Sequence, residues 1–189
     1  MSARIPTSAA ILGVLIVGAA LLGGCTGQDR QPATVTWRNI TVQVPDGWYV
    51  FEEEDTRLSI SNADIGPESI RGVDDLPETD VVAMFFTFEP ATRPDDWRRF
   101  VEQQEATMQL DESVVLGDET PATWFVFDHV TGAIPMRELV AVIPSRGVVV
   151  LAQPVPSPGQ DDGPEVFAEH RETFEQVLET LSFGPPMME

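Results

Sequence analysis

The stretch ATWFVFDHVTGAIPMRELVAVIPSRGVVVLA, residues 122–152, decides the fold class. It holds three runs rich in β-branched and aromatic residues, at 122–130, 136–143 and 148–152, each the length of a strand. Pro144-Ser145-Arg146-Gly147 joins the last two as a hairpin turn. Links this short leave no room for a crossover helix, so consecutive strands pair antiparallel.

Upstream, residues 113–116 predict a further short strand. Residues 81–88, Val-Val-Ala-Met-Phe-Phe-Thr-Phe, are nearly all apolar and read as a central strand buried on both faces. Between these two lies a helix. Pro94 suits its first position, and Asp95 and Asp96 suit the positive end of its dipole. Trp97, Phe100, Val101 and Met108 share one helical face, which carries the expected helix to about Leu110.

Nearer the N-terminus, Val35 and Trp37 share one parity, while Ile40, Val42 and Val44 share the other. The switch at Arg38-Asn39 marks a bulge or a short turn. Pro45-Asp46-Gly47 turns the chain, residues 58–61 form another strand, and 62–80 read as a surface loop. Downstream, 153–163 is a second loop. A closing helix is expected over 164–181, with Phe167, Phe174, Val177, Leu178 and Leu181 inward. Gly184-Pro185-Pro186 stops it. The expectation is an α+β fold: a mainly antiparallel sheet of about seven strands sandwiched with two helices. One domain covers 35–184, and 185–189 is a tail.

The first residues predict export. From Ala9 to Leu22 every residue is apolar or glycine, 14 in all, the length of a signal-peptide core rather than of a spanning helix, which needs about 20. Leu22-Gly23-Gly24-Cys25 then ends the core, and the chain turns polar at Thr26. This segment resembles the lipobox of bacterial lipoproteins. The resemblance implies that Leu22, Gly23 and Gly24 are read by the signal peptidase. It also implies a diacylglycerol on the Cys25 thiol, fatty acylation, and cleavage that makes Cys25 the first residue. The cysteine count agrees, because a lone cysteine has no partner within the chain for a disulfide. Two acyl chains hold firmly, since each buried methylene contributes about 0.8 kcal/mol. Residues 1–24 are then the signal peptide, and 25–34 the lipidated cysteine with a flexible tether. The protein is expected on the extracytoplasmic side of a cell membrane.

Charge excludes other partners. The net charge is −20, and every basic residue is arginine. Loss of Arg4 with the signal peptide takes it to −21. A field of that sign repels nucleic-acid phosphates and anionic lipid headgroups. Membrane attachment therefore falls to the lipid on Cys25, and the acidic surface is first of all a solubilising one.

Ile40-Thr41-Val42-Gln43-Val44-Pro45-Asp46-Gly47-Trp48 resembles the opening strand and corner of PsbP-like domains. Leu181-Ser182-Phe183 resembles their close, and the landmarks between come in the same order. The family includes bacterial envelope lipoproteins of the DcrB and LpqN kinds. The resemblance implies an antiparallel sheet between helices and a domain that binds or supports other proteins. It carries no shared catalytic residues.

No residue set points to catalysis. His129 near a strand end and His170 at the edge of a helix face each read as structural histidines, although either could serve as a base or ligand. Ser145 and Ser157 sit in Pro-rich turns with no base nearby, and no Gly-x-Ser-x-Gly elbow exists. Glu52-Glu53-Glu54-Asp55, Asp74-Asp75 and Asp161-Asp162 could offer oxygens to calcium, but no EF-hand or zinc spacing is present. Asp161-Asp162-Gly163-Pro164 reads as a turn and helix cap. Trp48, Trp97 and Trp124 are expected in or near the core, with Trp37 left open. The expected function is non-catalytic binding of a protein or small ligand, with no cofactor and no metal. The alternatives are a carboxylate-based hydrolase on envelope material and a cation-binding accessory protein.

Overall fold

The computed structural model describes residues 33–65, 80–155 and 163–185. Ten strands and two helices occur among them. The strands are β1 (Ala33–Trp37), β2 (Ile40–Val44), β3 (Tyr49–Glu53), β4 (Arg57–Ser61) and β5 (Val82–Phe88), then β6 (Thr107–Val115), β7 (Pro121–Thr131), β8 (Ile134–Ile143), β9 (Val148–Pro154) and β10 (Ser182–Phe183). The helices are α1 (Pro94–Gln103), between β5 and β6, and α2 (Gly163–Glu179), between β9 and β10. The class is α+β and mainly antiparallel, as the sequence predicts.

The main sheet has seven strands in the order β3-β4-β5-β9-β8-β7-β6. Both of its faces are covered. On one face Leu58, Met84, Phe86, Val126, Leu139 and Val150 meet α2 and a small sheet of order β1-β2-β10. On the other, Phe125, Phe127, Val140 and Val149 meet α1 through Val101 and Trp97. Successive residues on a strand point to opposite faces, so a strand between two covered faces is apolar throughout. This is why β5 reads as a continuous apolar run: Val82, Ala83, Met84 and Phe86 are all fully buried.

Four local differences from expectation have physical causes. The first helix ends at Gln103 rather than near Leu110. Glu105 takes a left-handed turn (φ 55°), and Thr107 onward is strand. Met108 and Leu110 fit a strand's alternation as well as a helical face, and the left-handed turn is made without a glycine to announce it. The strand expected at 113–116 therefore begins at Thr107. Strand β3 hides because it is an edge strand with acidic residues, and of its five side chains only Phe51 is buried. Arg38-Asn39 is the short turn of the two expected alternatives, a two-residue hairpin; the difference is that β1 and β2 pair with each other outside the main sheet. Finally, Leu181 is buried beyond the end of α2, in the step before β10 joins β2.

Arginine and acid pairs pin these elements. Arg98 of α1 bonds Asp111 of β6 in two-pronged fashion, at 2.7 and 2.8 Å. Asp118, between β6 and β7, accepts the N–H groups of Thr120 at 3.0 Å and Phe183 at 3.2 Å. Partial burial alone would raise the Asp118 pKa. The bonds from Thr120 and Phe183, with the nearby Arg146 guanidinium, outweigh that and hold it below the ordinary value. Gly147 (φ 63°) closes the β8–β9 hairpin, where a Cβ would lie 2.8 Å from the Cα of Pro90.

Candidate functional site

The β7–β8 hairpin reaches past the start of β6. Thr107, the first residue of β6, pairs with Asp128, whereas β7 continues alongside β8 through His129↔Met136 to Thr131↔Ile134. Among the described residues, one edge of β7 is therefore without a strand partner over His129–Thr131. Beside it lie the α1–β6 turn and the N-terminus of α2, and together they enclose an open cleft of about 490 Å³. Glu105, Asp128, His129, Val130, Met136 and Pro164 are among its lining residues. Clefts of about 300–1,000 Å³ are the usual size for small-molecule sites.

The chemistry at this cleft is a histidine backed by a carboxylate. His129 shares its sheet face with Phe127 and lies diagonally across from Glu138, which pairs with Phe127. Its Nε2 stands 2.8 Å from Oε1 of Glu138, and both side chains are mostly covered, 20% and 13% exposed. The oxygen sits off the line of a ring N–H, so Nε2 is buried without an aligned hydrogen bond. Burial pushes the Glu138 carboxyl above its ordinary pKa, while His129 pulls it the other way and only partly offsets the rise. Nδ1 lies 3.4 Å from the Thr131 hydroxyl, beyond a firm bond, and Thr131 does not line the cleft. The trio can hold or move a proton but does not present an activated nucleophile.

On the other face of β7, Asp128 binds Arg137 through both oxygens, at 2.6 and 2.8 Å, and accepts from Gln109 at 2.9 Å. Its acceptor capacity at the cleft is largely taken. Glu105 differs. It is exposed on the rim, and its carboxylate has no partner among the described residues.

The pH behaviour of Glu138 follows from the direction of its shift. A raised acid pKa means that the ionised form is disfavoured by folding. The penalty is present above the raised value and absent below the ordinary one. Glu138→Gln should therefore raise the thermal midpoint at pH 8 by a few degrees, with the gain shrinking as the pH falls through the raised value. Thermal unfolding followed by circular dichroism at several pH values reads this. A gain that does not vary with pH would contradict it.

The other residues singled out in the sequence are dispersed. His170 is half-buried on α2, across the sheet from His129, and the two do not meet. Ser145 is exposed in its hairpin turn. The run Glu52-Glu53-Glu54-Asp55 serves the frame. Glu52 accepts from Ser59 at 2.7 Å, the Glu54 carbonyl accepts from the Trp37 indole at 2.6 Å, and the Asp55 carbonyl accepts from Arg38 at 2.5 Å. Among the described residues no cluster of three or more metal-binding side chains forms. Trp37 and Trp124 are buried, and Trp48 and Trp97 are half-buried against core clusters. Leu22, Gly23, Gly24 and Cys25 lie outside the described residues, as do Asp74, Asp75, Ser157, Asp161 and Asp162.

Sequence reasoning did not find Glu138, Glu105 or the free edge of β7. The register Thr131↔Ile134 brings Glu138 to His129, and only the offset between β6 and β7 opens the edge.

No protein-family model matches the chain, and no curated protein matches it. Among solved structures, it is similar to PA94 of Pseudomonas aeruginosa, described as a protein of unknown function. That match has a TM-score of 0.48 and 11% identity, over 82% of this chain and 99% of that one.

Proposed function

We propose that this chain is a lipid-anchored envelope lipoprotein, whose PsbP-like domain stands off the extracytoplasmic face of a membrane and acts by binding a partner rather than by catalysis. The observation that carries the reading is the 14-residue apolar core ending at Leu22-Gly23-Gly24-Cys25. One other supports it. The globular part begins with β1 at Ala33, and the seven residues between it and Cys25 span at most about 25 Å. A lipid on Cys25 would hold such a domain near the bilayer while its acidic surface keeps it from lying flat. The family part of the reading rests on the sequence of Ile40–Trp48 and of Leu181-Ser182-Phe183, which resemble PsbP-like landmarks.

The test is Cys25→Ser in a host that processes lipoproteins. The wild-type chain should incorporate an alkyne-tagged fatty acid and partition into detergent. The variant should lose both, with label falling to background. Equal labelling of the two would refute the anchor.

A further inference from the structure

We infer that the cleft beside the β7–β8 hairpin binds an extended peptide segment carrying an arginine or lysine, laid along the unpaired edge of β7. Three features of the cleft carry this, and none depends on the lipid anchor.

The first is the edge. Along His129–Thr131, β7 has β8 on one side and, among the described residues, no strand on the other. Pairing alternates along an antiparallel ladder, so one residue in two there turns its N–H and C=O away from β8. A free edge of that kind is a template for an added strand, in which main-chain bonds give affinity and side-chain pockets give specificity. The edge is short, and the α1–β6 turn bounds it, so it fits a segment of a few residues rather than a long strand.

The second is charge. Among the described residues no arginine or lysine lines the cleft, and Glu105 offers it a carboxylate with no partner among them. Glu138 stands directly behind His129. With a net charge of −20 around it, the site attracts cations and repels anions. The absence of a clustered ligand set among the described residues argues against a bare metal ion.

The third is the apolar part of the wall. Val130 is 66% exposed, unusual for a valine in a strand, and Pro135 opposite it and Pro164 also line the cleft. The aliphatic stem of arginine or lysine covers such a surface while its charged head reaches a carboxylate.

The experiment is calorimetry and amide-resolved NMR on the full-length chain in detergent micelles, titrated with the peptide acetyl-Val-Arg-Val-amide. Saturable binding is expected, with shifts centred on His129–Thr131. The same peptide with citrulline for arginine, or with N-methylated backbone amides, should bind at least tenfold more weakly. Glu105→Gln should weaken binding about fivefold. Glu105→Gly should do the same while relieving the left-handed backbone at that position, which guards against a variant that fails to fold. Raised salt should weaken binding further. Equal affinity for the citrulline peptide, equal affinity for Nα-acetylarginine amide alone, no effect of either Glu105 variant, or no saturable binding would each overturn the inference.

Discussion

Phe174→Ala should lower the unfolding free energy of the domain by about 3–5 kcal/mol, the range for removing a large aromatic side chain from a packed core. Phe174 is fully buried on α2. Its ring meets Trp48 edge-on at 6.3 Å and Phe167 at 5.5 Å. Trp48 enters from the corner after β2, and Phe167 from one end of α2. The ring therefore ties α2 to the corner between β2 and β3, inside the buried cluster that α2 shares with both sheets. Alanine would lose the transfer energy of the ring and leave a cavity that α2 and the β2–β3 corner would have to collapse to fill. Domains of this size are stable by about 5–15 kcal/mol, so a third or more of the total is at stake. Urea unfolding should show a lower midpoint with an unchanged slope. A loss under about 1.5 kcal/mol would mean that the α2 interface is not the main core.

The second large effect is expected at a residue with no side chain. Gly117 follows β6, and its N–H bonds the Glu179 carbonyl at the end of α2 at 3.2 Å. A Cβ at Gly117 would overlap that same carbonyl oxygen. Backbone is the obstacle, so no rotamer change relieves it. Gly117→Ala must push α2 away from the β6–β7 turn or break the bond, at a cost of about 2–4 kcal/mol. Gly132→Ala is the control. Gly132 lies in open space with φ 65°, so alanine there meets only the left-handed backbone penalty of about 1–2 kcal/mol. Chemical denaturation of both variants separates the two causes. If Gly117→Ala were no more costly than Gly132→Ala, the close approach of α2 to this turn would be wrong.

Legibility differed by element, and the reason is the range of the interaction that decides each one. The strands at 122–152 were plain because each is covered on both faces, and continuous apolar sequence records that directly. The start of α1 was plain because Pro94, Asp95 and Asp96 act within one turn, and Asp96 accepts the Arg93 N–H at 2.9 Å. Its end was not, because Glu105 makes a left-handed turn without glycine. Strand β3 was missed because four of its five side chains are not buried. Strand β10 has two residues and exists only because β2 offers it an edge. The candidate site was the least legible. His129 was visible as a residue, but its carboxylate lies nine positions away and arrives through hairpin register.

By itself, the sequence determined the α+β class, the antiparallel pairing of the central strands, the two helices and the acidic character of the surface. Each follows from local pattern or composition, which the chain carries regardless of how it packs. It also holds the apolar core and cysteine on which the proposed anchor rests. Only the tertiary structure decided that β1, β2 and β10 form a sheet of their own, that Phe174 meets Trp48, and that β7 outruns β6. These depend on contacts between residues far apart in sequence. They are set by which buried faces fit together, and no periodicity records that. The cleft at His129 belongs to this second kind.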